Sequence, residues 1–461
     1  MGLWVLRRVR LGQPDGSVSD VESDVAVEAG RIAWVRPAAS EFPEGAVVYD
    51  GRGRVLLPGF IDMHVHLARY REFLPDMLRW GITGLREAGS PFPAVQALRA
   101  IPEAERSAVS SAGPLVDGDP PRWPALSVVV RSVEDVRAVV RQHRDAGVEW
   151  VKAYHRLPPE LLAALIREAH GQGLRVMGHL GQVPWRTVLA WGIDSLEHVR
   201  LGTVDGLIPR RFAAEVDATP WPMKDFRFWA FVNLQSDRLR RLLDEMARRG
   251  VLWTPTLTVL AVALVRQTPG ERFMPRWLRE RWQARSYRFQ DPSVQKQARS
   301  VWPRILRLVA MAHRAGVRVV VGTDTPNVHT PPGWSFHWEL RWLERAGIPL
   351  RDVVRMACWR PYEALGWPTP LQVGSPADFV LLGTTGLRSV RDLRRIRRVV
   401  RAGRTVFLRP WTMDHGLAWA SGMASSGDTR WGPGRGSFGG AGRRGPHSCP
   451  SSGSLRAEDL H

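Results

Sequence analysis

The stretch FIDMHVHL, residues 60–67, decides how the rest of the chain is read. Upstream, residues 1–57 alternate short apolar runs with turn signals, as in SDVAVEAGRIAWVRP and AVVYDGRGRVLLPG, a pattern that predicts part of a small β-sandwich. From Phe60 the style changes. FIDMHVHL runs into the helical pattern EFLPDMLRWG, and the alternation then repeats: VEWVKAY with PPELLAALIREAHGQG, LRVMGHL with PWRTVLAWG, then SLEHV, VLWTPTLTVL and VRVVVGTD. Apolar runs of four to eight residues alternating with amphipathic helices argue for parallel strands joined by helices. With ITGLREAG and a poorly marked strand near 107–116 there are eight such units. The fold class expected is therefore α/β, a (β/α)₈ TIM-type barrel over 58–366. The segments GSPADFVLLG and IRRVVRAGRTVFLRP return to strand text, and 367–410 is expected to rejoin the N-terminal sandwich. Residues 411–461 are rich in Gly, Ser and Pro without periodicity, and disorder is expected there.

Composition narrows the function classes. The 461 residues carry 65 Lys plus Arg against 45 Asp plus Glu, a net charge of +20, yet the arginines spread over the whole body without forming a recognisable nucleic-acid module. No nucleic-acid partner is expected. The apolar region VLWTPTLTVLAVALV, residues 251–265, is short for a membrane span and reads as a core strand running into a helix. Two cysteines cannot form a disulfide framework, and the N-terminus does not read as a signal peptide, so a cytoplasmic setting is expected. The expected partner is a small-molecule substrate, with a homo-oligomer open. The segments 200–250 and 261–300 interrupt the barrel rhythm and are candidates for substrate walls or for extra outer helices.

His64 and His66 lie two apart on a strand, so both imidazoles point to one side, at the strand's C-terminal end where barrel enzymes place their chemistry. His-x-His alone is a weak signal. Its weight comes from Lys152, His179, His198 and Asp324, each at the end of a later strand. Singly, the histidines read equally well as hydrogen-bonded core groups, Asp324 as a helix cap and Lys152 as a snorkelling stem. Together they read as a metal site. Lys152 is one of only three lysines in a chain that otherwise writes Arg. A buried ammonium is costly, and desolvation lowers its pKa towards the neutral amine, a state that a guanidinium does not reach. Tyr154 faces the same interior as Lys152 and reads either as an oxyanion donor or as rim packing. His329 and His337 follow the eighth strand and are candidate substrate contacts.

In order and context, LLPGFIDMHVHL, GVEWVKAY, VMGHLG, DSLEHV and VVVGTD resemble the amidohydrolase superfamily, in particular its imidazolonepropionase-like and Xaa-Pro dipeptidase-like metal-dependent hydrolases, over about residues 1–409. The resemblance implies a two-metal centre, zinc being the first choice: His64, His66 and Asp324 on a buried ion, His179 and His198 on a more exposed one, and a carbamylated Lys152 bridging both. It implies attack by a metal-bridging hydroxide on an amide-type carbonyl of an N-acyl amino acid, a dipeptide or a cyclic amide, with Asp324 as general base and then acid. A mononuclear deaminase, a lactone or phosphotriester hydrolase, and a non-catalytic barrel scaffold are the alternatives. His179 is followed by LGQ where true imidazolonepropionases continue differently, and those also lack the lysine; Glu87 stands where relatives often carry Asp.

Overall fold

The computed structural model describes residues 2–38, 41–181, 183–199 and 203–409. The tail expected to be disordered lies outside the described residues. Strands β1 (Trp4–Gly12), β2 (Val18–Glu28), β3 (Arg31–Pro37) and β4 (Val47–Pro58) come first. The barrel strands follow: β5 (Phe60–Val65), β6 (Ile82–Glu87), β7 (Ala108–Asp117), β8 (Ser127–Val129), β9 (Trp150–Ala153), β10 (Arg175–Gly178), β11 (Ser195–Glu197), β12 (Leu252–Thr254) and β13 (Arg318–Val319). The last three, β14 (Phe379–Leu382), β15 (Ile396–Arg401) and β16 (Arg404–Leu408), return to the first sheet.

The parallel sheet runs β13-β12-β11-β10-β9-β7-β6-β5, eight strands in chain order apart from β8, which pairs outside this path on β7. The sheet curls until its ends meet. Met63 N–H donates to Val321 O at 2.8 Å, Asp324 N–H to His64 O at 2.7 Å, and His66 N–H to Thr325 O at 2.8 Å, so the chain leaving β13 hydrogen-bonds β5. Gly322 permits that approach: a Cβ there would fall 2.3 Å from the Thr254 side chain and 2.8 Å from His64 Cβ. A poorly marked third strand was expected near 107–116, and β7 fills that place.

The helices follow the apolar spacing of the sequence. Val133–Asp145 buries Val136, Val139, Val140 and His143, one face of a 3.6-residue period, and starts at a Ser132/Asp135 capping box. The segment after the sixth strand, a candidate for a substrate wall or for extra outer helices, carries helices Arg210–Ala218, Met223–Phe231 and Asp237–Arg248. The one after the seventh carries Leu257–Ala261 and Arg276–Gln290 and enters Pro292–Arg314.

The first four and last three strands meet in one seven-stranded mixed sheet, ordered β16-β15-β14-β4-β1-β2-β3. The rejoining expected from GSPADFVLLG is the antiparallel pairing of β14 on β4, with Phe379 opposite Pro58. Arg401 ties this sheet to the barrel. Its guanidinium donates twice to Asp378 at 2.9 Å, to Glu103 at 3.0 Å and to the Arg106 carbonyl at 3.0 Å, so the buried charge is fully paired. Among the described residues no helix is long and apolar enough to cross a membrane.

Candidate metal centre

His64, His66 and Asp324 bring one possible ligand atom each within 4.8 Å of one another, and form the compact ligand cluster found among the described residues. Asp324 sits between the rings. Its Oδ1 lies 3.1 Å from His66 Nε2 and 3.5 Å from His64 Nε2, and its Oδ2 lies 3.9 Å from His198 Nδ1. The His198 ring stands 4.7 Å from that of His64 and 4.5 Å from that of His179. The histidines from β5, β10 and β11 therefore form one continuous array. Burial opposes ionisation of Asp324, but the hydrogen bond from His66 and the charges of His64 and His198 hold its carboxyl well below the usual range.

Two of these residues sit in unusual backbone. His198 has φ +67° and Asp324 has φ +56°, each one or a few residues past its strand. Non-glycine residues rarely adopt this left-handed region, and such strain concentrates at functional sites. The consequence is geometric. A regular strand would point Glu197 and His198 to opposite faces. The turn at His198 breaks that alternation, so both neighbours act on the same cluster.

Glu197 went unnoticed in the sequence, and it organises the floor of the site. One carboxylate oxygen lies 2.5 Å from His64 Nδ1; the other accepts from Arg86 at 2.8 Å and from Ser195 at 2.6 Å. Arg86, fully buried, also donates to the Met63 carbonyl, to Ser195 and to Thr254, and packs 4.7 Å from the Trp150 ring. Although burial would raise the Glu197 pKa, Arg86 and His64 bring it well below the ordinary value. With Nδ1 committed to an ionised carboxylate, His64 presents Nε2 to the cluster, and that buried nitrogen has no hydrogen-bond partner. Glu87 braces the other histidine's loop: it accepts from the backbone of Leu67 and Ala68 and from Ser90, and lies 3.9 Å from His66 Nδ1. His198 Nδ1 in turn is 2.8 Å from the Thr256 hydroxyl.

Lys152 is 1% exposed on β9, and its Nζ has no hydrogen-bond partner. Burial brings its pKa down from 10.5 to about 8, against the pull of Glu197 and Asp324. The same charge helps depress His64 to about 4, after burial itself. Two orphaned buried nitrogens beside a carboxylate and three imidazoles are what a donor set for a divalent cation provides.

The remaining predicted residues divide. Tyr154 joins the array, its ring 4.9 Å from that of His179 and its hydroxyl accepting from Trp123 Nε1 at 2.9 Å. His329 belongs to the loop after β13; its Nδ1 is 2.9 Å from Glu271 and its buried Nε2 is without a hydrogen-bond partner. His337 is drawn elsewhere. It bonds the Trp80 carbonyl at 3.0 Å and packs on Phe60, the first residue of β5, away from the strand end that carries His64. Its place early in the helix after β13 suggested the mouth, but apolar partners hold the ring instead.

The profile of the Amidohydrolase family matches residues 55–406, three quarters of the chain. The chain belongs to the amidohydrolase family. Among solved structures, this amidohydrolase is similar to a bottromycin amidohydrolase, with a TM-score of 0.69, 25% identity and coverage of 87% of this chain and 86% of that one. A Xaa-Pro dipeptidase with methionine bound in its active site superposes with a TM-score of 0.64 at 17% identity, covering 88% and 99%, a likeness of fold alone. Among curated relatives, a dihydroorotase from Solibacter usitatus is 48% identical over 63 residues. That match spans 14% of this chain and 14% of the relative, so the similarity to curated relatives is confined to a short segment.

Proposed function

We propose that this amidohydrolase cleaves amide-type carbon–nitrogen bonds in a small-molecule substrate: an N-acyl amino acid, a dipeptide or a cyclic amide. His64, His66 and Asp324 would hold one divalent ion, His179 and His198 a second, with zinc the first choice. Lys152 would bridge them as a carbamate, formed when its neutral amine adds to carbon dioxide and releases one proton. The observation that carries this reading is the pair of buried nitrogens without hydrogen-bond partners, His64 Nε2 and Lys152 Nζ. Left so, each costs on the order of 1–3 kcal/mol, which a cation and a covalent adduct would offset.

The ions would supply Lewis acidity for the carbonyl and lower the pKa of a bound water. The proton then belongs to Asp324, which is kept ionised and sits between His64 and His66. It takes the proton from the attacking water and returns it to the leaving nitrogen. Tyr154 would donate to the carbonyl oxygen as that atom becomes anionic, and His329 would contact the substrate from the loop after β13. The name of the solved relative at 25% identity, a bottromycin amidohydrolase, supports the bond class. A cytoplasmic setting fits the two cysteines.

A single-ion centre is the second reading, favoured because among the described residues the compact cluster is His64, His66 and Asp324. Metal analysis of gently purified protein separates the two: two ions per chain support the binuclear centre, one supports the second reading. A screen of metal-loaded protein against N-acyl amino acids, dipeptides and cyclic amides tests the reaction, and turnover confined to lactones or phosphotriesters would overturn it. For the bridge, Lys152→Ala should lose activity and regain part of it with short carboxylic acids; full activity in Lys152→Arg would end that proposal.

A further inference from the structure

Tyr154 is held by a neighbour that no sequence pattern singles out. Trp123 lies in the excursion between β7 and β8, half-exposed, and its Nε1 donates to Tyr154 Oη at 2.9 Å. An indole N–H can only donate, so at this contact the phenol oxygen accepts. The phenol hydrogen is then directed to a different acceptor, and the accepted bond polarises it for donation.

The two loops that carry this pair are fastened to each other by Asp117, the fully buried last residue of β7. Its Oδ1 accepts from Gly118 N at 3.0 Å and from Arg156 N at 2.6 Å, and its Oδ2 accepts from Arg122 N at 2.7 Å. One carboxylate therefore holds the residue before Trp123 and the residue two past Tyr154. Arg156 adds a bond to the Pro120 carbonyl at 2.8 Å, and Tyr154 N–H donates to Val116 O at 2.9 Å. Gly118 allows the loops this close: a Cβ there would sit 2.1 Å from the Arg156 carbonyl oxygen. The clasp fixes the position of the two loop tips relative to each other.

We propose that Trp123 is a positioning residue that sets Tyr154 as a hydrogen-bond donor to the substrate's carbonyl oxygen, with Asp117 clasping the loops that present them. The inference rests on the role given to Tyr154 above. It adds a constraint on the substrate: the atom facing Tyr154 is an acceptor, not an N–H.

Trp123→Phe removes the indole N–H and keeps a ring of similar packing on a half-exposed site. Two readouts test the proposal. In protein labelled with 3-fluorotyrosine, which has five tyrosines, the Tyr154 resonance is the one lost in Tyr154→Phe, and it should move in Trp123→Phe. An unmoved resonance overturns the proposal, and this arm needs neither metal nor substrate, so it stands or falls apart from the amide reading. In turnover, Trp123→Phe should lower kcat about tenfold with KM within about twofold, the scale expected for a misplaced donor. Added to Tyr154→Phe it should have no further effect, because the tryptophan acts through that hydroxyl. The same tenfold loss in the Tyr154→Phe background would show that Trp123 acts on its own, and would overturn the assignment.

Discussion

The two sides of the ligand cluster are built on opposite principles. On the β5 side, His64 is locked by Glu197, Glu197 by Arg86 and Ser195, and the loop after His66 by Glu87. Glu197, Arg86 and Glu87 are buried and hydrogen-bonded, and they leave His64 with Nε2 turned to the cluster. On the β9 side, Lys152 is equally buried, yet its amine has no hydrogen bond. The first side is preorganised by the fold. The second is finished by something the fold does not supply.

Three predictions sharpen or break that contrast. The largest effect concerns the group that both sides share. Asp324→Asn should lower kcat by about 10³-fold, the loss of a general base, and should also reduce metal content. Unchanged turnover would remove Asp324 from the chemistry. Next come paired stability measurements on metal-free protein in urea. Glu197→Gln should cost about 3–5 kcal/mol, because it leaves Arg86 buried without its carboxylate. Lys152→Met should instead be neutral or stabilising by about 1 kcal/mol, since it removes an unpaired buried amine. Equal losses in both variants would refute the contrast.

The smallest effect is expected at His337, which burial depresses from 6.5 to about 3. A folded pKa below the unfolded one means the unfolded chain binds the proton more readily. Stability from this group is therefore complete above pH 6.5 and is lost as pH falls towards 3. His337→Phe should flatten that part of the acid-unfolding curve and leave kcat/KM within about twofold. A large loss of activity would return His337 to the site.

Much of this was legible beforehand for one reason. Strand ends in a barrel converge, so His64, His66, Lys152, His179, His198 and Asp324 could be grouped by counting strand–helix units. Glu197 was not legible, because period-two logic turns it away from His198, and only the φ of +67° at His198 puts both on one cluster. Trp123 was hidden in a proline-rich excursion with no periodicity to place it. His337 misled for the converse reason: nearness in sequence to Asp324 did not carry it into the same neighbourhood.

The sequence by itself determined the barrel, the return of the C-terminal strands to the N-terminal sheet, and the residue types at the strand ends. These follow from local periodicity, which each segment carries on its own. The tertiary structure alone decided which carboxylate orients which imidazole, that Lys152 lacks a hydrogen-bond partner, and that Asp117 binds two loops together. Those facts depend on side chains from distant strands meeting at hydrogen-bond distance, and no local pattern encodes them.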